Sequence, residues 1–213
     1  MPGVTIASSY GTAGSVIAPA VAKELGLPLL DRAISVQVAA KLHVTEDEAA
    51  TAQAHRSRAG RFMSLLAPLA GGVLGAGTDA APGDAVPNLD EAEAFRDQAE
   101  LVMRAALAGG AVILGRAGGA ALRQEPGVLR VRLFGAKSAR LQHAMTFERI
   151  DEDAAKERMH QVDGAREQYV RRLYHCDVND PVLYHLQLDS TAIGPDACAA
   201  MIATAYRSMT AAG

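Results

Sequence analysis

The sequence has little of what disulfide-bonded, metal-binding or membrane-spanning proteins require. Its 213 residues include two cysteines, Cys176 and Cys198, which form no CxxC pair, and no histidine cluster has the spacing of metal ligands. A disulfide framework and a zinc site are therefore not expected. No stretch approaches the roughly 18 apolar residues of a membrane span. The chain opens with neither the basic segment nor the apolar run of a signal peptide.

The chain also lacks an excess of positive charge. It has 21 Lys and Arg residues against 24 Asp and Glu residues, and its formal net charge is −3. A general nucleic-acid or membrane surface would call for a strongly basic balance, so neither partner is expected. Hydrophobic residues make up 49% of the chain, which is enough for one well-buried core. The free cysteines and the missing signal peptide predict a cytoplasmic protein.

Short apolar runs alternate with helical patterns along the chain. Buried strands are predicted at 4–7, 27–30 and 111–114, and further strands at 129–133 and 186–188. Helices are predicted at 16–25, 33–66, 89–107, 138–146 and 151–172, with a closing helix from Pro195. Strands that alternate with helices favour an α/β fold with a parallel sheet covered on both faces.

Two segments of the chain carry weaker patterns. Residues 71–88 are rich in Gly, Ala, Pro and Asp without a period, which is typical of a mobile loop. In the strand at 129–133, Arg130 and Arg132 alternate with apolar residues. This alternation predicts a strand with one wetter face, at the edge of the sheet.

Polar or Gly-rich residues follow four of the predicted strands. They are residues 8–14, Asp31-Arg32, Gly115-Arg116 and residues 189–191. In a parallel sheet, ligands bind beyond the carboxyl ends of the strands. The sequence therefore predicts a ligand site where these four segments meet.

The first of these segments joins a strand to a helix, where backbone amides could hold a phosphate. The standard pattern Gly-x-x-x-x-Gly-Lys-Ser/Thr is nevertheless absent. Gly14 stands at the place of the lysine, Ser8 replaces the first glycine, and Val16 replaces the Mg²⁺-binding hydroxyl, for which Ser15 could substitute. From this loop alone, a tight turn without a ligand is at least as well supported as a phosphate site.

An ordered set of segments resembles the cytidylate kinase-like family. The segment at 6–14, Lys-Glu-Leu-Gly-Leu-Pro at 23–28 and Leu-Asp-Arg at 30–32 resemble the opening of that family, which has a Gly-rich loop without the lysine. Val-Ile-Leu-Gly-Arg-Ala at 112–117 resembles its Val-Ile-Val-Gly-Arg-Gly/Ala segment. The later matches are Asp163, Arg166 and Tyr169 in the lid helix, then Asp180-Pro181, Tyr184 and the segment at 188–191.

The resemblance implies a three-layer fold of the P-loop NTPase type, with a parallel five-stranded sheet and helices on both faces. It implies one kinase-like domain over 1–213. Residues 1–32 and 111–213 would form the core, with a lid near 151–176. Residues 33–110 would form a helical acceptor-binding insert that contains the mobile loop.

The reaction that the resemblance implies is transfer of the ATP γ-phosphoryl group to a nucleoside monophosphate similar to CMP, with Mg²⁺. The donor phosphates would lie on the loop, and the acceptor on residues at the ends of two strands. Arg166, with Arg171 or Arg172, would reach the transferring phosphoryl group, and Asp163 would orient Arg166 or a Mg²⁺-bound water. The implied donor residues are Gly11, Thr12, Ala13, Gly14 and Ser15, and the implied acceptor residues are Asp31, Arg32 and Arg116.

Several features leave alternatives open. Many family members have Ser-Arg where this chain has Ser8-Ser9, and true cytidylate kinases have Asp where this chain has Ala117. A catalytically weak or inactive member that binds a nucleotide or a protein is therefore the second hypothesis, unless Arg56, Arg58 or Arg61 compensates. Asp163 and Arg166 could be an ordinary surface pair, and Arg171 and Arg172 a solvated face. A homodimer also stays open, since symmetric dimers are the commonest oligomers.

Overall fold

The computed structural model describes residues 3–31 and 89–211. The predicted helices at 33–66, the predicted loop at 71–88 and Arg32 lie outside the described residues. In chain order the described elements are β1 Gly3–Ser8, α1 Gly14–Leu25, β2 Leu29–Leu30, α2 Leu89–Ala108, β3 Ala111–Leu114, α3 Gly118–Ala121, β4 Val128–Phe134, α4 Lys137–Glu148, α5 Glu152–Tyr174, a 3₁₀ turn Pro181–Leu183, β5 Leu186–Asp189, α6 Ser190–Ile193 and α7 Pro195–Ala211.

The described strands form one five-stranded sheet in the order β2-β3-β1-β4-β5, and every pairing is parallel. The central strand β1 pairs Val4 with Val112 of β3 and with Leu129 of β4. Because all strands run the same way, their carboxyl ends meet at one edge of the sheet. The predicted parallel sheet is confirmed, and so is the common edge for its loops.

Helices cover both faces of the sheet, as predicted. Val112 and Leu114 of β3 point to one face, where they pack in a cluster with α1 and α7. Ile113, between them, points to the other face and packs with Met103 and Leu107 of α2. The alternation of successive side chains along a strand divides the apolar run of β3 between two cores.

The prediction that the strand at 129–133 lies at the sheet edge is wrong. β4 lies between β1 and β5, and Arg130 is buried. Its guanidinium donates to the carbonyl oxygens of Leu183 (2.8 Å) and Arg123 (3.1 Å). Arg132 donates to the Val178 carbonyl at 3.2 Å. Both arginines therefore bind loop carbonyls, and burial of Arg130 shows that the sheet face is covered at its position.

Helix α5 begins at a side-chain cap and carries one apolar stripe. The Asp151 carboxylate accepts from the Ala154 amide at 2.8 Å, which satisfies one of the unpaired donors at the helix start. Buried Ala155, Met159 and Val162 recur at helical spacing and face α4. No described helix is long and apolar enough to cross a membrane.

Candidate phosphate-binding site

The loop between β1 and α1, residues 9–13, is here called the first loop, and Tyr10 fixes its start. The Tyr10 side chain is 1% exposed and packs among Ala144 of α4 and Ala155, Met159 and Val162 of α5. An aromatic side chain inserted between two helices holds the adjoining backbone in one place. The first loop is therefore attached to α4 and α5.

An ion pair holds the backbone on both sides of Tyr10. The Tyr10 amide donates to Asp163 Oδ1 at 2.8 Å, and Arg140 Nη1 donates to the Tyr10 carbonyl at 3.1 Å. Arg140 Nη1 also lies 2.6 Å from Asp163 Oδ2. The two side chains are mostly buried, so this charge-assisted contact is stronger than a solvent-exposed pair.

Arg166 reaches the same region from the next turn of α5. Its Nη1 donates to the Ser8 carbonyl, at the end of β1, at 2.7 Å and lies 3.8 Å from Asp163 Oδ1. The structure therefore brings Asp163 and Arg166 together with the first loop, as the sequence indicated. An ordinary surface pair would contact only solvent and its own helix. Asp163 and Arg166 instead also bind the backbone of residues 8–10, so their pairing is part of the contact between α5 and the first loop.

The opposite side of the first loop is held by the segment after β5. Buried Ser190 donates its hydroxyl to the Thr12 carbonyl at 2.8 Å. Thr12 in turn donates its own hydroxyl to the Ser9 carbonyl at 2.7 Å. The Ser9 amide donates to the Leu133 carbonyl at the end of β4. Two of the four predicted strand-end segments, residues 8–14 and 189–191, thus meet at this loop, next to the end of β4.

Two glycines permit the close packing of the loop. Gly11 has φ +76°, and a Cβ on it would lie 2.3 Å from the Arg140 carbonyl oxygen of α4. A Cβ on Gly14 would lie 2.3 Å from the Ser8 hydroxyl oxygen. The resemblance implied that both glycines contact donor phosphates. In the described structure the atoms that approach them belong to the protein itself.

The amides of this region divide into bonded and unbonded groups. Those of Ser9, Tyr10, Thr12, Val16 and Ile17 donate to protein oxygens. Among the residues that the structure describes, no acceptor is found for the four remaining amides of the loop and first helical turn. Backbone amides without a protein partner at a helix start can bind an anion. These four amides are those of Gly11, Ala13, Gly14 and Ser15.

A second loop, residues 115–117, follows β3 on the neighbouring strand. Its three residues all have positive φ, at 79° for Gly115, 55° for Arg116 and 53° for Ala117. A left-handed conformation costs roughly 1–2 kcal/mol at each residue other than glycine. Strained backbone of this kind is concentrated at functional sites.

Arg116 extends from the second loop towards the end of β2. Its Nη2 donates to the Asp31 carbonyl at 3.3 Å. Its Nε is buried and has no hydrogen-bond partner in the described part of the chain. Burial lowers the pKa of Arg116, while the neighbouring Tyr169 and Asp31 raise it. The guanidinium thus retains donor capacity that the protein does not use.

Tyr169 of α5 borders Arg116. Burial raises the pKa of the Tyr169 phenol to about 12, and the positive charge of Arg116 opposes that rise. At neutral pH the phenol therefore stays protonated and can donate a hydrogen bond. The Tyr169 ring packs against Tyr174 with ring centroids 6.4 Å apart.

The predicted site residues thus form two groups at one edge of the sheet. The first loop lies with Asp163 and Arg166, and Asp31 lies with Arg116. Arg171 and Arg172 are exposed in the last turn of α5, and no described contact joins them to either group. The proposed compensating residues at 56, 58 and 61 lie outside the described residues.

Sequence reasoning did not single out Arg140 or Tyr10. A signal for Arg140 was present, because it lies in the first turn of α4 together with Lys137, and that turn has no acidic residue. Cations are unfavourable at a helix N-terminus. Two of them in a first turn therefore indicate that their side chains have partners outside the helix. Tyr10 had no comparable signal, since a single aromatic residue in a Gly-rich segment does not reveal its partners.

The chain matches the model of a known protein family. A model of the cytidylate kinase-like family matches residues 3–192, which include both loops and all five strands. The chain belongs to the cytidylate kinase-like family. The resemblance drawn from the sequence motifs is therefore confirmed. No curated protein shows a significant match to the chain.

Three solved structures align with the chain, and the first of them shares its fold. An uncharacterized protein from Eubacterium ventriosum ATCC 27560 aligns with a TM-score of 0.62 at 18% identity, over 97% of this chain and 98% of that one. A gluconokinase from Sinorhizobium meliloti 1021 aligns over 98% of this chain and 95% of its own at 16% identity, with a TM-score of 0.44. A shikimate kinase from Bacteroides thetaiotaomicron aligns over 98% of both chains at 12% identity, with a TM-score of 0.45.

Proposed function

We propose that this cytidylate kinase-like protein transfers the γ-phosphoryl group of ATP to a nucleoside monophosphate, with CMP as the first candidate acceptor. The observation that carries the proposal is the set of four amides, at Gly11, Ala13, Gly14 and Ser15, for which the described residues offer no acceptor. They lie within residues 11–15 at a helix start, where negative charge is stabilised. A phosphate chain is the anion that the family membership favours for them.

In this proposal the first loop binds the donor. The amides would hold the phosphates of ATP, and Thr12, whose hydroxyl is already bonded to Ser9, would keep the loop in shape. The described residues contain no group of three side chains suited to a metal ion. Mg²⁺ is commonly bound mainly by substrate phosphates and water, so this site fits it if Ser15 adds a hydroxyl. The ion would supply neutralisation of the developing phosphate charge.

The second loop would bind the acceptor. Arg116 has an unused donor and a planar guanidinium that suits a monophosphate. Asp31, whose carbonyl holds Arg116, would face the same ligand together with Arg32. The adjacency of β1 and β3 in the sheet supports this assignment, because transfer requires the donor and acceptor phosphates to be bound side by side.

Arg166 is the proposed catalytic residue, in a lid formed by residues 151–176. Its guanidinium lies at the base of the first loop, where it could stabilise charge on the transferring phosphoryl group. Arginine contacts of this kind are worth about 10³-fold or more in related phosphoryl transfer. Asp163, 3.8 Å from Arg166, would orient that guanidinium.

A specific observation supports the second candidate function, a weak or inactive member that binds a nucleotide or a protein. The region from Ser8 to Val16 contains no lysine or arginine, and Val16, at the place of the usual hydroxyl, is 43% exposed. An exposed apolar side chain there contributes nothing to Mg²⁺ binding. The two candidates share the fold and differ in turnover.

The deciding experiment is a coupled kinase assay with Mg-ATP and a panel of nucleoside monophosphates, accompanied by thermal-shift binding. A ligand at a hundred times its Kd stabilises a protein by about 2.7 kcal/mol, which gives a clear shift. Turnover of CMP or another monophosphate, abolished by Arg166→Met, is the expected result. Stabilisation by ATP without turnover of any acceptor would support the second candidate. No binding of any nucleotide would overturn the proposal.

A further inference from the structure

We propose that Arg140 is a positioning residue that aims and polarises the Gly11 amide, and that it thereby supplies part of the positive charge absent from the first loop. Asp163 holds Arg140 in place for this role. The inference rests on the proposed function, because it concerns how the first loop binds donor phosphates. It assigns a task to a residue that lies 130 positions from the loop in sequence.

The first step concerns the direction of the Gly11 amide. The Tyr10 carbonyl and the Gly11 amide belong to one planar peptide unit, and no described peptide bond is cis. In a trans unit the C=O and N–H bonds point in opposite directions. Because Arg140 holds the carbonyl towards α4, the Gly11 N–H must point away from α4. Gly11 is one of the four loop residues whose amides have no acceptor in the described structure.

The second step concerns rotation at Tyr10. Asp163 Oδ1 accepts from the Tyr10 amide, and Arg140 donates to the Tyr10 carbonyl, so the peptide units before and after Tyr10 are both held. Asp163 and Arg140 are themselves joined at 2.6 Å. With the Tyr10 ring buried as well, neither peptide unit can turn without breaking a charge-assisted hydrogen bond. The Gly11 amide is therefore oriented before a ligand arrives.

The third step concerns charge. A cation that donates to a carbonyl withdraws electron density from its peptide unit, and hydrogen bonds linked through one unit strengthen each other. The Gly11 N–H thus becomes a better donor than an ordinary amide. Arg140 acts through the peptide unit, whereas a lysine in the loop would contact the phosphate directly. This arrangement suits a loop that has neither lysine nor arginine of its own.

Ser190 provides an internal comparison for this device. Its hydroxyl holds the Thr12 carbonyl, and the Ala13 amide lies on the other side of that peptide unit. The Ala13 amide, which also has no acceptor in the described structure, is therefore aimed in the same way by a neutral donor. Two unbonded amides of the loop are thus oriented through the carbonyl oxygens of their own peptide units. Arg140 adds a positive charge at one of these carbonyls, and Ser190 adds none at the other.

The test compares the wild-type protein with Arg140→Met, Arg140→Lys and Asp163→Asn. The matched control is Arg207→Met, which removes an exposed arginine paired with Glu24 on α1, away from both loops. For each protein we would measure the Kd of tripolyphosphate and of ATP by calorimetry, and KM for both substrates. Thermal unfolding identifies variants that do not fold. The amide NMR signals of Gly11 and Gly115, recorded without ligand, give a readout that does not depend on ligand affinity.

Arg140→Met is expected to raise the Kd of tripolyphosphate about tenfold or more, as for loss of one charge-assisted contact. KM for the acceptor should change less than about twofold, since the second loop does not contact Arg140. The Gly11 amide signal should move while that of Gly115 stays. Asp163→Asn and Arg140→Lys should have smaller effects, because each retains part of the contact with Tyr10. The control should match the wild-type protein.

The outcomes separate this inference from the proposed function. If the wild-type protein binds neither tripolyphosphate nor ATP, the proposed function fails and the positioning role fails with it. If the wild-type protein binds both and a folded Arg140→Met variant binds them equally well, only the positioning role is overturned. If Arg140→Met does not fold, the Arg140→Lys and Asp163→Asn variants replace it in the comparison. Wild-type affinity for tripolyphosphate and ATP in both of these variants would overturn the positioning role of Arg140.

Discussion

The two loops at the carboxyl edge of the sheet are built in opposite ways. The first loop has no charged residue, and its conformation is held by Arg140, Asp163 and Arg166 from α4 and α5. The second loop carries its own cation, Arg116, and holds a run of three positive φ angles within itself. The backbone of one loop is held by distant side chains, and the other loop presents its own side chain on a strained backbone.

This difference teaches that the two halves of the site respond to different changes. Under the proposed function, the first loop would bind its ligand through backbone amides, which most side-chain substitutions leave in place, so binding there would depend on the residues that orient them. The second loop would bind through a single guanidinium, so one substitution would delete its binding group.

Gly11→Ala should have the largest effect. A Cβ at this position would lie 2.3 Å from the Arg140 carbonyl oxygen, and φ is +76°. The left-handed strain and the displacement of α4 together should lower the free energy of unfolding by about 2–5 kcal/mol. Denaturant unfolding measures this loss of stability, and an ATP titration of the folded variant measures the accompanying loss of ATP affinity.

The matched control for Gly11→Ala is Gly164→Ala, next to Asp163 on α5. A Cβ on Gly164 would meet no atom within 4 Å. Alanine is favoured over glycine in a helix by about 0.5–1 kcal/mol, so this variant should be more stable than the wild-type protein. Equal stability of the two alanine variants would contradict the described packing of the first loop on α4.

Arg116→Met should weaken acceptor binding and spare donor binding. Loss of one charge-assisted contact is worth about 1.5–3 kcal/mol, or roughly ten- to a hundredfold in affinity. The Kd of tripolyphosphate should stay at its wild-type value, because the first loop does not contact Arg116. Calorimetry with the acceptor and with tripolyphosphate separates the two sites, and equal weakening of both ligands would show that the loops do not act independently.

Ser190→Ala should destabilise the first loop by a smaller amount. The Ser190 hydroxyl is buried and donates to the Thr12 carbonyl, which would remain without that donor. The expected loss is about 1–2 kcal/mol of stability. ATP affinity should fall with it, while Ser190→Thr, which retains a hydroxyl, should lose less. Thermal melts with and without ATP check the result, and an unchanged ATP affinity in a folded Ser190→Ala variant would argue against its role in aiming the Ala13 amide.

The titration of Tyr169 tests the burial of this residue and its position beside Arg116 of the second loop. Burial raises its pKa to about 12, compared with about 10 in an unfolded chain. The protonated phenol therefore contributes stability that is fully present below pH about 10 and is lost as the pH rises towards about 12. Tyrosinate absorbance of the native and the unfolded protein, followed against pH, measures this difference in pKa. The Tyr169→Phe variant identifies which part of the absorbance change belongs to Tyr169.

In Arg116→Met the Tyr169 pKa should rise further, because the positive charge of Arg116 lowers it. A native protein that titrates like the unfolded chain would contradict the burial of Tyr169. A Tyr169 pKa that does not respond to Arg116→Met would contradict its placement beside that guanidinium.

The sheet could be predicted from the sequence, because apolar runs and their alternation with helices are local signals. β3 shows this directly, since its four buried residues were predicted with the bounds that the structure has. The position of β4 could not be predicted in the same way. The arginines of that strand are satisfied by carbonyls from residues far along the chain, such as Leu183, and local alternation does not distinguish such a partner from water.

The candidate site could be predicted only where its residues carry a motif. Arg116 and Asp163 were found because they match a family segment by spacing. The contact of Arg140 with the Tyr10 carbonyl follows from the packing of Tyr10 against α4 and α5, and the sequence contains neither the distance nor the direction of that contact. The roles proposed for these residues stay predictions until the variants above are measured.

The contacts that hold the first loop also determine when it can form. Tyr10 is joined to Asp163 across 153 positions, Ser8 to Arg166 across 158, and Thr12 to Ser190 across 178. Contacts between residues so distant in sequence form late, because the cost of closing the intervening chain comes first. During synthesis the first loop leaves the ribosome well before residues 163–190, so its amides stay unaimed until that part of the chain has followed. Under the proposed function, ATP would therefore stabilise the loop only after these contacts have formed, and it would not guide the folding of the chain before them.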